Sequence, residues 1–208
     1  QVYAEVTYSA HTPVTYYISP SGSDAANGLT TSTPWKTFAY AVDKSRLYPG
    51  DTLIVMDGTY SVAAATGLIA VTCPTGSNNG TSAARITVQA ANERQALIAG
   101  TGASATVAIT TCSYWSFNGL RIEGAALDDS IFNTANSSQS DYIVWYRNLF
   151  RYSNTFENVH LLNLSQSDYC EIIENEFYDH HRAALLLLTS DNNLVRRNYS
   201  NERGVGGD

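Results

Sequence analysis

The chain has 208 residues, enough for one domain with a real core, and only 15% of them are charged. A net charge of −7, with only Lys36 and Lys44 as lysines, argues against nucleic acid, which needs clustered cations; Arg196-Arg197 alone is no basic patch. No apolar run is long enough to span a bilayer.

Residues 1–15, QVYAEVTYSAHTPVT, alternate like a strand, with Val2, Ala4, Val6 and Tyr8 on one side. They are expected to cover the first part of the fold, or to form an arm that adds a strand to a neighbouring subunit. Gln1-Val2-Tyr3 is not a signal peptide and is compatible with a mature end left by cleavage. Thr33-Pro34 opens the one convincing helix, over about 33–47. A hydroxyl caps it, Pro takes its first turn, Trp35, Phe38 and Val42 follow helical spacing, and Pro49-Gly50 stops it. After it come short apolar runs predicted as strands: 51–60, 84–90, 96–100, 105–110, 114–124, 142–150, 158–164, 170–177, 184–190 and 193–199.

No second helix separates these runs, which speaks against an α/β sheet with crossover helices. FNGL, RNLF, ENEF and RRNY repeat along the chain, placing Asn118, Asn148, Asn175 and Asn198 at separations of 30, 27 and 23 residues. That period suits one coil of a β-solenoid, here an all-β, right-handed, single-stranded parallel β-helix over 16–208. Stacked coils put equivalent side chains about 4.8 Å apart, close enough for Asn amides to bond along the stack. A solenoid exposes its core at its ends, so the 33–47 helix is expected to cap the first coil.

Cys73, Cys112 and Cys170 are an odd set, allowing one disulfide, with Cys73–Cys112 the expected pair, and one buried thiol. Sequons at Asn79, Asn136, Asn163 and Asn198 weakly favour an exported glycoprotein.

Residues 16–60 carry YYISPSGSD, the PWKT helix start, the PGDT turn and DGTY. This stretch resembles the opening of secreted right-handed parallel β-helix proteins of the pectate-lyase-like superfamily, and SDNNLVRRNYS and its relatives extend the likeness more loosely to residue 208. The resemblance implies the fold and a polysaccharide partner. It also implies an eliminative polysaccharide lyase acting on uronate chains, with glycoside hydrolysis less expected. Such lyases neutralise the uronate carboxylate, often with Ca²⁺, and remove the neighbouring proton with a Lys or Arg base.

No lysine follows Lys44, so a Lys base on the later coils is excluded. Arg182, Arg196, Arg197 and Arg203 remain as candidates, Arg182 and Arg197 foremost. Glu174, Glu176 and Asp179 belong to the densest acidic group and are the expected Ca²⁺ ligands. Asp179-His180-His181-Arg182 is expected in a turn between two walls of a coil, where His180 and His181 would supply acid–base groups near neutral pH. The final ERGVGGD reads like mid-coil, so an incomplete C-terminal end, or one covered by another subunit, is expected. The alternative function is a non-catalytic extracellular surface, adhesive or filament-forming solenoid.

Overall fold

The computed structural model describes residues 11–43, 45–61, 69–73, 78–100, 105–124, 135–152, 160–180 and 183–202. Its elements run β1 (Thr15–Ile18), α1 (Phe38–Ala41), β2 (Thr52–Val55), β3 (Gly58–Ser61), β4 (Ile69–Thr72), β5 (Ile86–Ala90), β6 (Ala96–Ala99), β7 (Val107–Thr110), β8 (Trp115–Asn118) and β9 (Arg121–Glu123). They continue with β10 (Ala135–Ser138), β11 (Val144–Tyr146), β12 (Leu149–Arg151), β13 (His160–Ser165), β14 (Glu171–Ile173), β15 (Glu176–His180), β16 (Ala183–Leu188), β17 (Leu194–Arg196) and β18 (Tyr199–Glu202).

Three sheets result. Sheet A is β1-β2-β5-β8-β11-β14-β17, sheet B is β3-β6-β9-β12-β15-β18, and sheet C is β4-β7-β10-β13-β16. From β2 onward each strand pairs in parallel with the strand three later, so one strand from each sheet makes a coil and the coils stack as a parallel β-helix. Alternation sets the inner face. Leu53, Val88, Phe117, Trp145 and Ile172 stand in register along sheet A and are fully buried. Phe117 stacks on Trp145 at 4.7 Å, and Phe150 on Phe177 at 5.0 Å in sheet B. Rings repeating at the strand spacing are thus held in offset contact.

Several runs read as single strands bend once. Residues 51–60, 114–124, 142–150, 170–177 and 193–199 each divide into a sheet A strand and a sheet B strand. In the last four of these the hinge is one residue in the left-handed region: Gly119 at φ 66°, Arg147 at 55°, Glu174 at 55° and Arg197 at 56°. For a side-chain-bearing residue that conformation costs about 1–2 kcal/mol. What offsets it is the next residue, which turns inward. Asn148 Oδ1 accepts the Leu120 N–H at 2.9 Å. Asn175 Oδ1 accepts the Asn148 N–H at 2.9 Å, and Asn198 Oδ1 the Asn175 N–H at 2.8 Å. The amides also bond to each other, Asn148 Nδ2 to Asn175 Oδ1 and Asn175 Nδ2 to Asn198 Oδ1, both at 3.1 Å.

Asn118 does not belong to this column. It pairs with Tyr146 on the outer face of sheet A, two positions early, and Leu120 fills the equivalent inner site. The separation of 30 mixed two registers; the in-register step from Leu120 to Asn148 is 28. The corner from sheet C to sheet A uses serine in the same way. Ser140, Ser167 and Ser190 hydroxyls accept the N–H groups of Cys112, Ser140 and Ser167 at 3.0–3.1 Å.

The helix is shorter than its spacing predicts. Asp24 accepts the Lys36 and Thr37 amides and the Thr37 hydroxyl, and Thr37 caps a single turn, Phe38–Ala41. Before it, Trp35 is extended and bridges Ile18, giving its N–H to Tyr17 at 2.8 Å and taking that of Ser19 at 2.9 Å. Trp35 therefore occupies the free edge of β1. Of the 1–15 arm, residues 1–10 lie outside the described residues, and Thr15 begins β1. Cys73 and Cys112 form a disulfide, and Cys170 is a buried free thiol.

Candidate functional site

Most links between sheets A and B are two residues long, but β5 and β6 are joined by five, 91–95. This longer loop leans over the corner of the following coils. Asn92 Nδ2 ties it to Asp57 at 2.9 Å, and Arg94 Nε reaches the Arg147 carbonyl at 3.4 Å. Between loop and sheet lies a cavity of about 240 Å³ lined by Gln89, Ala90, Ala91, Glu93, Asn118, Gly119, Tyr146 and Arg147. Gln89, Asn118 and Tyr146 share one outward register across β5, β8 and β11. Sheet A sets them side by side because alternation points every second residue to solvent.

A chain of ion pairs continues along the corner. Arg147 Nη2 lies 3.0 Å from Glu93 and its Nε 4.0 Å from Glu174; Arg197 Nη1 is 3.4 Å from Glu174, and Arg94 Nη1 is 2.7 Å from Glu176. On the outer face of sheet B, Arg121 holds Glu123 at 2.6 Å and Arg151 holds Asp179 at 2.9 Å. The hydrogen bond that Arg151 donates to Asp179 raises the Arg151 pKa. Five guanidiniums (Arg94, Arg121, Arg147, Arg151, Arg197) thus meet five carboxylates (Glu93, Glu123, Glu174, Glu176, Asp179), a balanced surface. Partly exposed pairs of this kind contribute about 0–1 kcal/mol each to stability, so they position side chains more than they hold the fold.

The residues expected to form a site are dispersed. Glu174 and Glu176 do point outward, as alternation around Asn175 predicts, but with Asp179 they face different arginines. Calcium takes six to eight converging oxygens. This donor set does not fit it, and among the described residues no group of three His, Cys, Asp or Glu is placed to hold a metal. His180 is not in an exposed turn. β15 runs on to it, with Asp179 at φ 58° and a register shift after Tyr178, and His180 is buried with Nε2 2.9 Å from Ser200 Oγ. His181, Arg182 and Arg203 lie outside the described residues. Arg197 does reach the corner, with two-thirds of its side chain exposed.

Of the sequons, Asn79 Oδ1 accepts the Ser113 N–H, and Asn163 donates to Asn136 at 3.1 Å on sheet C. Asn198 is in the inner column, its Nδ2 bound to the Ile172 carbonyl at 2.7 Å.

Gln89, Glu93, Arg94, Tyr146 and Arg147 were not singled out by the sequence. Two signals pointed to them. AANERQ inserts a charged segment between apolar runs, and the residue before each column Asn is charged, as Arg147, Glu174 and Arg197. Planar amides, a phenol and a guanidinium beside a cavity of this size can bond the hydroxyls and carboxylate of a sugar ring.

The chain is a parallel β-helix. Pectate lyase Pel9A superposes with a TM-score of 0.61 at 20% identity, covering 80% of this chain and 40% of that one. The GH136 lacto-N-biosidase from Eubacterium ramulus superposes with a TM-score of 0.60 at 14% identity, over 89% of this chain and 36% of that one. The chain therefore spans about two-fifths of the length of these proteins, and at these identities the likeness is one of fold. No protein-family model and no curated protein sequence matches it. No helix among the described residues is long and apolar enough to cross a membrane.

Proposed function

We propose that the chain is part of a secreted, carbohydrate-active β-helix protein that holds a uronate polysaccharide along the corner of sheets A and B and cleaves it by β-elimination. The cavity beneath the 91–95 loop carries this reading, because it places Arg147 beside Gln89, Asn118 and Tyr146 on one outward surface. Elimination needs the uronate carboxylate neutralised and the neighbouring proton removed. Arg147 meets the first need: a guanidinium keeps its proton and presents a donor fork that matches a carboxylate. The Cys73–Cys112 disulfide supports export, since such bonds persist in oxidising compartments.

The test is the ultraviolet absorbance of unsaturated product, with pectate, alginate and glycosaminoglycans as substrates, each with and without calcium. Turnover that Arg147→Ala removes supports the proposal, and Arg182→Ala in the same assay shows whether Arg182 acts as the base. A non-catalytic glycan-binding solenoid is the second reading. The balanced pairing of all five guanidiniums favours it, since it leaves none of them as a free cation. Binding without turnover on every uronate would identify it.

A further inference from the structure

Glu93 is the unexpected member of the corner. It rides on the one five-residue link between sheets A and B, it lines the same cavity as Arg147, and its Oε2 sits 3.0 Å from Arg147 Nη2. Its other oxygen is 3.6 Å from Arg94 Nε, while Arg94 is anchored on Glu176 at 2.7 Å. The Glu93 side chain is more than a third exposed and that of Arg147 about half, so the pair is neither sealed nor part of the core. A carboxylate on an exposed guanidinium at the edge of a sugar-sized cavity has the chemistry of the ligand group the cavity would take.

Resting on the reading of this corner as a glycan site, we infer that Glu93 occupies on Arg147 the place of a uronate carboxylate, and that an acidic sugar binds by displacing it. Glu93 then sets specificity. A neutral sugar cannot compete for Arg147 and meets a guanidinium already paired, whereas a uronate exchanges one carboxylate for another and regains the ion pair. The exchange adds one negative charge to the corner, and the released Glu93 stays beside Arg94, whose guanidinium it then shares with Glu176. Glu174, 4.0 Å from Arg147 Nε, is the neighbouring carboxylate that remains beside the guanidinium meanwhile.

The experiment is calorimetric titration of the full chain with galacturonate, mannuronate and glucuronate trisaccharides, and with a neutral galactose trisaccharide. Glu93→Gln removes the competing charge and keeps the shape. Since an exposed ion pair is weak, uronate binding is expected to tighten by about two- to five-fold, with the neutral sugar unchanged. Glu93→Asp keeps the charge but shortens the reach, and is expected to fall between; it decides the matter if Glu93→Gln unfolds, as judged by its melting curve. Unchanged or weaker uronate binding in the variants, an equal gain for the neutral sugar, or no uronate binding at all would overturn the inference. Tighter uronate binding without unsaturated product would uphold it while removing the lyase reading.

Discussion

Replacing Asn175 by Ala should be among the most damaging single changes in the chain, although it removes only three side-chain heavy atoms. Asn175 is 1% exposed. Its Oδ1 accepts from the Asn148 N–H and Nδ2, and its Nδ2 donates to the Trp145 carbonyl and Asn198 Oδ1. After truncation, Asn148 Nδ2 still has the Phe117 carbonyl and Asn198 Oδ1 still has the Asn175 N–H. The Asn148 N–H has no such alternative among its contacts. A buried donor left unsatisfied costs about 1–3 kcal/mol, and the other lost bonds and the small void add to that. The expected loss is about 3 kcal/mol, read as a lower urea midpoint at unchanged slope. Asn118→Ala is the internal control. It is also an Asn at a corner, but it is partly exposed and bonds Ser116, so it should cost under about 1 kcal/mol. Equal losses for the two variants would refute the reasoning, because position in the inner column, not residue type, is claimed to matter.

Three further outcomes are expected. Cys73→Ser opens a link across 39 residues and should cost roughly 3–4 kcal/mol by loop entropy, measured as a drop in melting temperature relative to the oxidised protein. Burial pushes the Cys170 thiol up to about 12, so a thiol reagent should label it only in denaturant; the stabilising preference for the neutral thiol holds below the ordinary thiol range and is lost as pH climbs toward 12. Peptide mass mapping of protein made in a glycosylating host should find Asn198 unmodified, since a glycan on its Nδ2 would displace the bond to Ile172 from inside the coil; an occupied Asn198 in folded protein would count against the inner column.

The fold was legible because each coil repeats the same physical demand. An inward Asn after each bend in ENEF and RRNY states that demand in the sequence, and the β-rich composition allows little else. Asn118 misled because outward and inward Asn look alike until register is known, and register depends on pairing between strands far apart in sequence. The SQSDY repeat at 138–142 and 165–169 marked the serine column and fell outside the Asn pattern. The helix was overestimated because Trp35 fits a helical face equally well as an extended residue closing a strand edge. The site was hardest to see. Arg94 and Glu176 are 82 residues apart, and only the stacking of coils brings them to 2.7 Å. The YDHH segment drew notice by its chemistry, yet a register shift turns His180 inside.

At the bend between sheets A and B, the amide beneath fixes the geometry and the residue above it only needs to tolerate it. Arg, Glu and Gly all stand there; a Cβ added to Gly119 would meet no atom beyond its chain neighbours nearer than 3.6 Å, and would bear only the left-handed strain that Arg147, Glu174 and Arg197 already bear. Ornament and scaffold are thereby uncoupled. Successive rungs can exchange charge, size or polarity on the rim while the spine under them stays the same.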